Sequence, residues 1–454
     1  MLEDFLVPYF FIIFSIFFFT GCFPDNISNN DKMILPSDIL NKSVVLHDNE
    51  ECIQPNSITA TNSNKMLVIL INYTNQTISS QNSVWRDKIF GKNSHQLNDY
   101  YLESSSNKFE FSQANEEVGC VDDGVVAVKL NKEHPNTDVD SERFEYNTYP
   151  DLKMALQVVD EYINFSNYDS DGNGHITPDE LLLTYIIAGY EDSYEGNHVT
   201  NGIWAHQYCM ANSANIPLLD GVTLMGCQNQ GNFALFGELH NKYMPHDATI
   251  GIIAHELGHS AFSLPDLYNT SNPNIGGIGY FGLMGSGLWT YKDNEEYAGE
   301  TPVHFSAWSK VFNGWVTPTE DSGSTSLHES ASNIYNVIKL PINADEYYLI
   351  ENRNNSGYDK GLYILDGEFN GGMAIWHINE NNLTSNNLDL NNVNADTNNK
   401  GVDLVEAANE SLDDGGIGHE KALFYYLNVD SYSNNETVIT NISERNSTMT
   451  LNIN

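Results

Sequence analysis

Five consecutive residues near the middle of the chain, His255-Glu256-Leu257-Gly258-His259, restrict the possible folds more than any other feature. Asp247 is placed to cap a helix running from about Ala248 to Phe262, with Ile250, Ile253, Ala254, Leu257 and Ala261 on its apolar face. On such a helix His255 and His259 lie one turn apart on the same side. Two imidazoles in that relation can share one Zn2+ while an open coordination position keeps a water. Glu256 can face that water as general base, taking its proton during attack on a peptide carbonyl and passing it to the leaving amine. Five residues of this kind also occur by chance in helices, so the flanking sequence has to decide.

Order is expected to begin at Lys65. Met66-Leu67-Val68-Ile69-Leu70-Ile71 is a continuous apolar run with β-branched members, the pattern of a strand buried on both faces. Residues 151–164 have helical spacing, with Leu152, Ala155, Leu156, Val159 and Ile163 on one face. Leu181–Ala188 reads as a second buried strand. Beyond about residue 320 short β-like pieces alternate with Asn- and Gly-rich turns, and residues 381–400 read as a long surface loop. The expected organisation is 1–22 signal peptide, 23–64 polar tether or short pro-segment, 65–320 catalytic domain, and 321–454 β-rich C-terminal region. The fold class is α+β, a mixed sheet plus the motif helix followed by the β-rich region.

After the motif helix, Phe262-Ser263-Leu264-Pro265-Asp266-Leu267-Tyr268 carries a proline that stops the helix. Gly279-Tyr280-Phe281-Gly282-Leu283-Met284-Gly285-Ser286-Gly287 then supplies Met284 in a Gly-rich turn. This layout resembles the metzincins, in which a Met-turn lies beneath the metal. Further elements follow in order: Leu97-Asn98-Asp99-Tyr100-Tyr101-Leu102-Glu103, Gly202-Ile203-Trp204-Ala205-His206-Gln207, Ala307-Trp308-Ser309-Lys310, Tyr348-Leu349-Ile350-Glu351-Asn352-Arg353 and Ala374-Ile375-Trp376-His377-Ile378. Over roughly residues 65–410 the chain resembles the M6 peptidases, the immune inhibitor A-like metalloproteases. That resemblance implies an exported endopeptidase with one catalytic zinc, His255 and His259 as ligands, Glu256 as base and Asp266 as third ligand. Asp266 stands one residue later than the metzincin spacing, which calls for a non-glycine residue in the left-handed conformation after His259; the other reading makes Asp266 a residue that supports a ligand or caps the turn. Glu351 is the second candidate for third ligand, against a salt bridge to Arg353. His206 and His377 are expected to be packing residues rather than donors at the site.

Asp169-Ser170-Asp171-Gly172-Asn173-Gly174-His175-Ile176-Thr177-Pro178-Asp179-Glu180 fits a calcium loop of the EF-hand type. Asp169, Asp171 and Asn173 would offer side-chain oxygens, His175 its carbonyl and Glu180 both carboxylate oxygens, with Gly174 at the sharp turn. The expected ion is a structural Ca2+; the plain alternative is a solvated acidic turn.

Phe5–Phe19 is nearly all apolar, yet shorter than the about 20 residues that span a bilayer. With Thr20-Gly21-Cys22 after it, the segment reads as an export signal, and Phe19–Cys22 resembles a lipobox that would lipidate Cys22 and anchor the protein to a bacterial surface or outer membrane. Plain secretion is the other reading. Four cysteines then remain, an even number suited to an oxidising compartment. Cys209 with Cys227 and Cys52 with Cys120 is the expected pairing, and Cys52 as an inhibitory zinc ligand is the lesser one. With 61 acidic against 20 basic residues the net charge is -41, which disfavours nucleic acid as a partner and suits calcium binding, high solubility or a salty habitat; protein or peptide substrates are what the M6 resemblance implies. Two further functions compete: an inactive calcium-stabilised surface binding protein on a peptidase fold, and a zinc hydrolase acting on peptidoglycan stem peptides.

Overall fold

In the computed structural model the described residues are 43–44, 52, 57–137, 144–195, 200–272, 276–294, 296–365, 367, 369–408, 412–414, 416–434 and 437–454. The expected signal segment 1–22, with its lipidation site Cys22, lies outside them. Among the described residues no helix is long and apolar enough to cross a membrane.

Among the described residues, nine strands form the main sheet. They are β1 (Ser43–Val44), β2 (Asn62–Asn72), β3 (Phe109–Gln113), β4 (Val125–Lys129), β5 (Leu182–Glu191), β6 (Gly202–Ile203), β7 (His206–Tyr208), β8 (Phe233–His240) and β9 (His246–Asp247). The path runs β1-β4-β2-β5-β8-β9, with β3 beside β2, β6 beside β5 and β7 beside β8. The long strands β2, β4, β5 and β8 pair in parallel, whereas β1, β7 and β9 pair antiparallel.

The unbroken apolar run in β2 follows from this burial. Met66, Val68 and Leu70 enter one core, and Leu67, Ile69 and Ile71 enter another on the opposite face. β5 and β8 divide in the same way: Ile186 and Phe236 on the first side, Tyr185 and Leu235 on the second. The first face is covered by α1 (Asn82–Phe90), α2 (Leu97–Ser104) and the motif helix α4 (Ile250–Phe262); α3 (Tyr149–Val159) covers the second. Tyr101 of α2 donates its hydroxyl to the Ala254 carbonyl at 2.9 Å, tying α2 to α4.

The C-terminal part adds β10 (Gly323–His328), β11 (Ile338–Pro341), β12 (Glu346–Arg353), β13 (Gly372–Asn379), β14 (Val402–Val405), β15 (Tyr432–Ser433), β16 (Val438–Thr440) and β17 (Thr448–Ile453). They form two antiparallel four-stranded sheets, β11-β12-β13-β14 and β10-β17-β16-β15. Leu349 and Trp376 of the first sheet face the core that holds α4, while Ile350 and Ile375 face the second sheet. The core around α4 therefore continues past residue 320 without a break.

Three details differ from expectation. The first long strand starts at Asn62 rather than Lys65. The segment expected to be a tether contributes β1 and the Cys52–Cys120 disulfide, so Cys52 is not free to ligate a metal. Asp247 does not cap α4: it pairs with Leu239 from β9, and its carboxylate accepts the Ser80 hydroxyl at 2.8 Å. Thr249 is the residue before the helix, with its hydroxyl on the Ala298 carbonyl at 2.8 Å. The second disulfide is the expected Cys209–Cys227.

Candidate metal centre

α4 presents His255 and His259 from its second half, with His255 buried among the surrounding elements. Each Nδ1 faces a carbonyl: Leu283 at 3.0 Å for His255, Leu264 at 2.5 Å for His259. A carbonyl only accepts, so both Nδ1 atoms carry their hydrogen, and a neutral ring then points its Nε2 lone pair the other way. The two Nε2 atoms lie 3.2 Å apart. Asp266 Oδ1 lies 3.1 Å from the first and 3.3 Å from the second. Three ligands around a tetrahedral ion with bonds of about 2.0–2.1 Å sit roughly 3.3 Å from one another, which the triangle matches.

Asp266 reaches this place because the helix ends irregularly. Ser263 adopts φ 54°, ψ 30°, the left-handed conformation that the late spacing calls for. Asp266 is buried and asymmetric. Its Oδ2 accepts from Tyr268 Oη at 2.7 Å and from Asn391 Nδ2 at 2.6 Å, whereas Oδ1 has no hydrogen-bond partner. A buried carboxylate oxygen left open beside two imidazole lone pairs is a cup for positive charge.

The electrostatics show how strongly this cup draws positive charge, a proton included. Burial works against a charged His259, yet the Asp266 carboxylate outweighs it and raises the ring to about 9. Burial alone would push Asp266 up, but the two imidazoles hold it far below the usual carboxylate range. Glu256 is buried beside the triangle. Desolvation raises it despite both imidazoles and the Gln207 N–H that bonds to it from β7. Met284 is buried beneath: a Cβ on Gly258 would meet its Sδ at 2.7 Å.

The other candidates go elsewhere. Glu351 is fully buried in a separate network, accepting from Trp376 Nε1 at 2.9 Å and Tyr335 Oη at 2.7 Å, with Arg353 at 3.6 Å. His206 shares a hydrogen bond with Tyr149 Oη at 3.0 Å among Phe144 and Phe233 on the far side of the sheet, where burial pushes its ring down to about 4. His377 sits on β13 beside Tyr348, 3.8 Å from Glu346.

The acidic loop is a second cluster, with ligand atoms of Asp169, Asp171 and Glu180 within 4.8 Å of one another. Asp169 accepts the N–H groups of Asn173 and Gly174, each at 3.0 Å, and Gly174 holds φ 82°. Burial would raise Glu180, but donors from Thr177 and Ser170 outweigh it and lower the carboxyl. His175 and Ile176 pair in parallel with Thr223 and Leu224, so the loop is stitched to a small sheet and leads directly into β5.

A model of the immune inhibitor A peptidase M6 catalytic domain matches residues 54–316, more than half of the chain. The chain belongs to the M6 peptidase family. Among curated relatives, the "Pre-pro-metalloprotease PrtV" of Vibrio cholerae serotype O1 is 30% identical over 171 residues, covering 36% of this chain and 17% of that protein. "Immune inhibitor A" of Bacillus thuringiensis subsp. alesti is 30% identical over 169 residues, covering 36% and 23%. The matched region thus spans less than a quarter of either relative. The crystal structure of wild-type OgpA from Akkermansia muciniphila is 13% identical with a TM-score of 0.29, covering 76% of this chain and 94% of that one, a likeness too slight to carry an argument.

Tyr268 and Asn391 are site residues that the sequence does not reveal as such. Tyr268 stands inside the Leu-Pro-Asp-Leu-Tyr segment, and its two-residue spacing from Asp266 is the available signal. Asn391 lies 125 residues away in a stretch that reads as surface loop, and nothing local marks it.

Proposed function

We propose that the chain is an exported zinc-dependent endopeptidase. The observation that carries this reading is the convergence of His255 Nε2, His259 Nε2 and the open Asp266 Oδ1 beside a buried Glu256. His255, His259 and Asp266 would hold one Zn2+, which when bound acidifies a water and polarises the scissile carbonyl. Glu256 takes the proton of the attacking water and delivers it to the departing amine nitrogen. Burial suits it to this work, because desolvation raises its carboxyl and so makes it a stronger base toward the attacking water. The carbonyls of Leu283 and Leu264 fix the two rings and their tautomers. Met284 packs under the helix between the two histidines as the Met-turn residue.

Asp169, Asp171, Asn173, the His175 carbonyl and Glu180 are assigned to a structural Ca2+ that stiffens the entry to β5. The twelve-residue pattern and the turn held by Asp169 support that assignment. Phe19–Cys22 supports lipidation of Cys22 and surface anchoring. The catalytic assignment is tested by casein cleavage with purified protein and Glu256→Ala. We expect chelator-sensitive cleavage in the wild type and a loss of about 100- to 10,000-fold in the variant with zinc still bound. A wild type that holds zinc and calcium and cleaves no protein would favour the inactive binding protein instead.

A further inference from the structure

Asp266 is held by a residue that lies outside the span matching the family's catalytic domain. Asn391, in the loop between β13 and β14, donates Nδ2–H to Asp266 Oδ2 at 2.6 Å and accepts the Asp266 backbone N–H on its Oδ1 at 2.7 Å. One amide thus grips both the side chain and the main chain of the same residue. The Thr270 hydroxyl donates to the Asn391 carbonyl at 3.1 Å, and Asn269 Nδ2 donates to Thr397 Oγ1 at 3.0 Å. Asn394 bridges the Leu267 carbonyl at 2.9 Å and the Val402 carbonyl at 2.8 Å, fastening the loop to the start of β14. The loop that the sequence presents as a surface excursion is a brace on the segment after the motif helix.

We propose that Asn391 is the positioning residue of the metal centre and that, through it, the C-terminal sheet sets the affinity of the site for its metal. This rests on the zinc reading above. A carboxylate that leaves an irregular turn can rotate, and only one rotation turns Oδ1 toward the two Nε2 atoms. Asn391 and Tyr268 occupy Oδ2 and so reserve Oδ1. An asparagine suits the position because it offers a donor and an acceptor on one planar group. It also tolerates its φ of 55°.

The test uses the full chain with Asn391→Gly and Asn391→Asp. Glycine removes the amide without straining the left-handed backbone. Aspartate keeps shape and acceptor but sets an oxygen against Asp266 Oδ2. Zinc affinity is read by chelator competition, Co2+ geometry by its visible absorption, and fold by melting of the metal-free protein. We expect both variants to bind zinc about 10- to 100-fold more weakly, with an altered Co2+ spectrum. Wild-type zinc affinity and an unchanged Co2+ spectrum in either folded variant would overturn the proposal, even if melting fell. A wild type that binds no zinc would instead overturn the metal-centre reading, and this inference with it.

Discussion

Replacing Gly258 with alanine sets two effects of opposite sign against each other. Alanine favours a helix interior over glycine by about 1 kcal/mol, so propensity alone makes the variant more stable. The added methyl, however, would stand 2.7 Å from Met284 Sδ and 3.5 Å from Phe305 Cε1. Ordinary carbon contacts begin near ~3.5 Å, so the sulfur must retreat by the best part of an ångström. Met284 is 1% exposed, which leaves it little room to do so. Its carbonyl accepts the Leu267 N–H at 2.7 Å, so retreat drags on the segment leading from Asp266. The neighbouring Leu283 carbonyl is the one that orients His255, so the same movement tilts a ligand ring. Overpacking of this kind costs about 1–3 kcal/mol. The net expectation is therefore a destabilisation of roughly 0–2 kcal/mol, together with weaker zinc binding. Thermal melting with and without zinc, and chelator competition, measure the two quantities. Met284→Ala alone should lose about 2–5 kcal/mol to a cavity. The double variant should be less damaged than the sum of the singles, by about 0.5–3 kcal/mol of coupling. A Gly258→Ala protein that melts higher by the helix-propensity increment and binds zinc as tightly as wild type would refute the reasoning.

Acid should destabilise the fold through His134, which burial, with Lys132 nearby, lowers to about 3. A depressed histidine contributes stability that is present above its unfolded value of about 6.5 and is lost as pH falls toward the folded value, because the unfolded chain takes up the proton first. Urea unfolding at about pH 7 and about pH 4.5 should show about 2–3 kcal/mol more loss in wild type than in His134→Asn; equal losses would remove His134 from the account. For the acidic loop, calcium should raise the melting temperature of wild type but not of Glu180→Ala or Asp169→Ala. Identical wild-type melting in calcium and in chelator would dismiss the site.

The central strands are legible in the sequence because burial on both faces leaves a continuous apolar run, as in Met66–Ile71. The histidine pair is legible because its spacing is a local property of a helix. Asp266 is legible only with the left-handed turn at Ser263, which the sequence can require but not display. The cap is misleading because Asp247, a favourable capping residue in isolation, is claimed by β9 and Ser80 instead. Tertiary pairing overrides a local preference there. β1 is invisible because two residues have no periodicity. Residues 381–400 look like a loose surface loop because asparagine is common in loops. Yet Asn391 and Asn394 spend their amides on backbone and carboxylate partners far away in sequence. Glu351 looks like a ligand because its network partners, Tyr335 and Trp376, come from separate segments.

The disulfide between Cys52 and Cys120 has a mechanical consequence. Tension applied to the chain upstream of Ser43 first meets the two-residue pairing of β1 with β4. Once that pairing yields, the load leaves the main chain at Cys52 and crosses covalently to Cys120, just before β4. The stretch between Cys52 and Asn62 then carries no force, and β2, which lies between β4 and β5 in the sheet, is shielded from being peeled out. Reduction would reroute the same pull directly into β2.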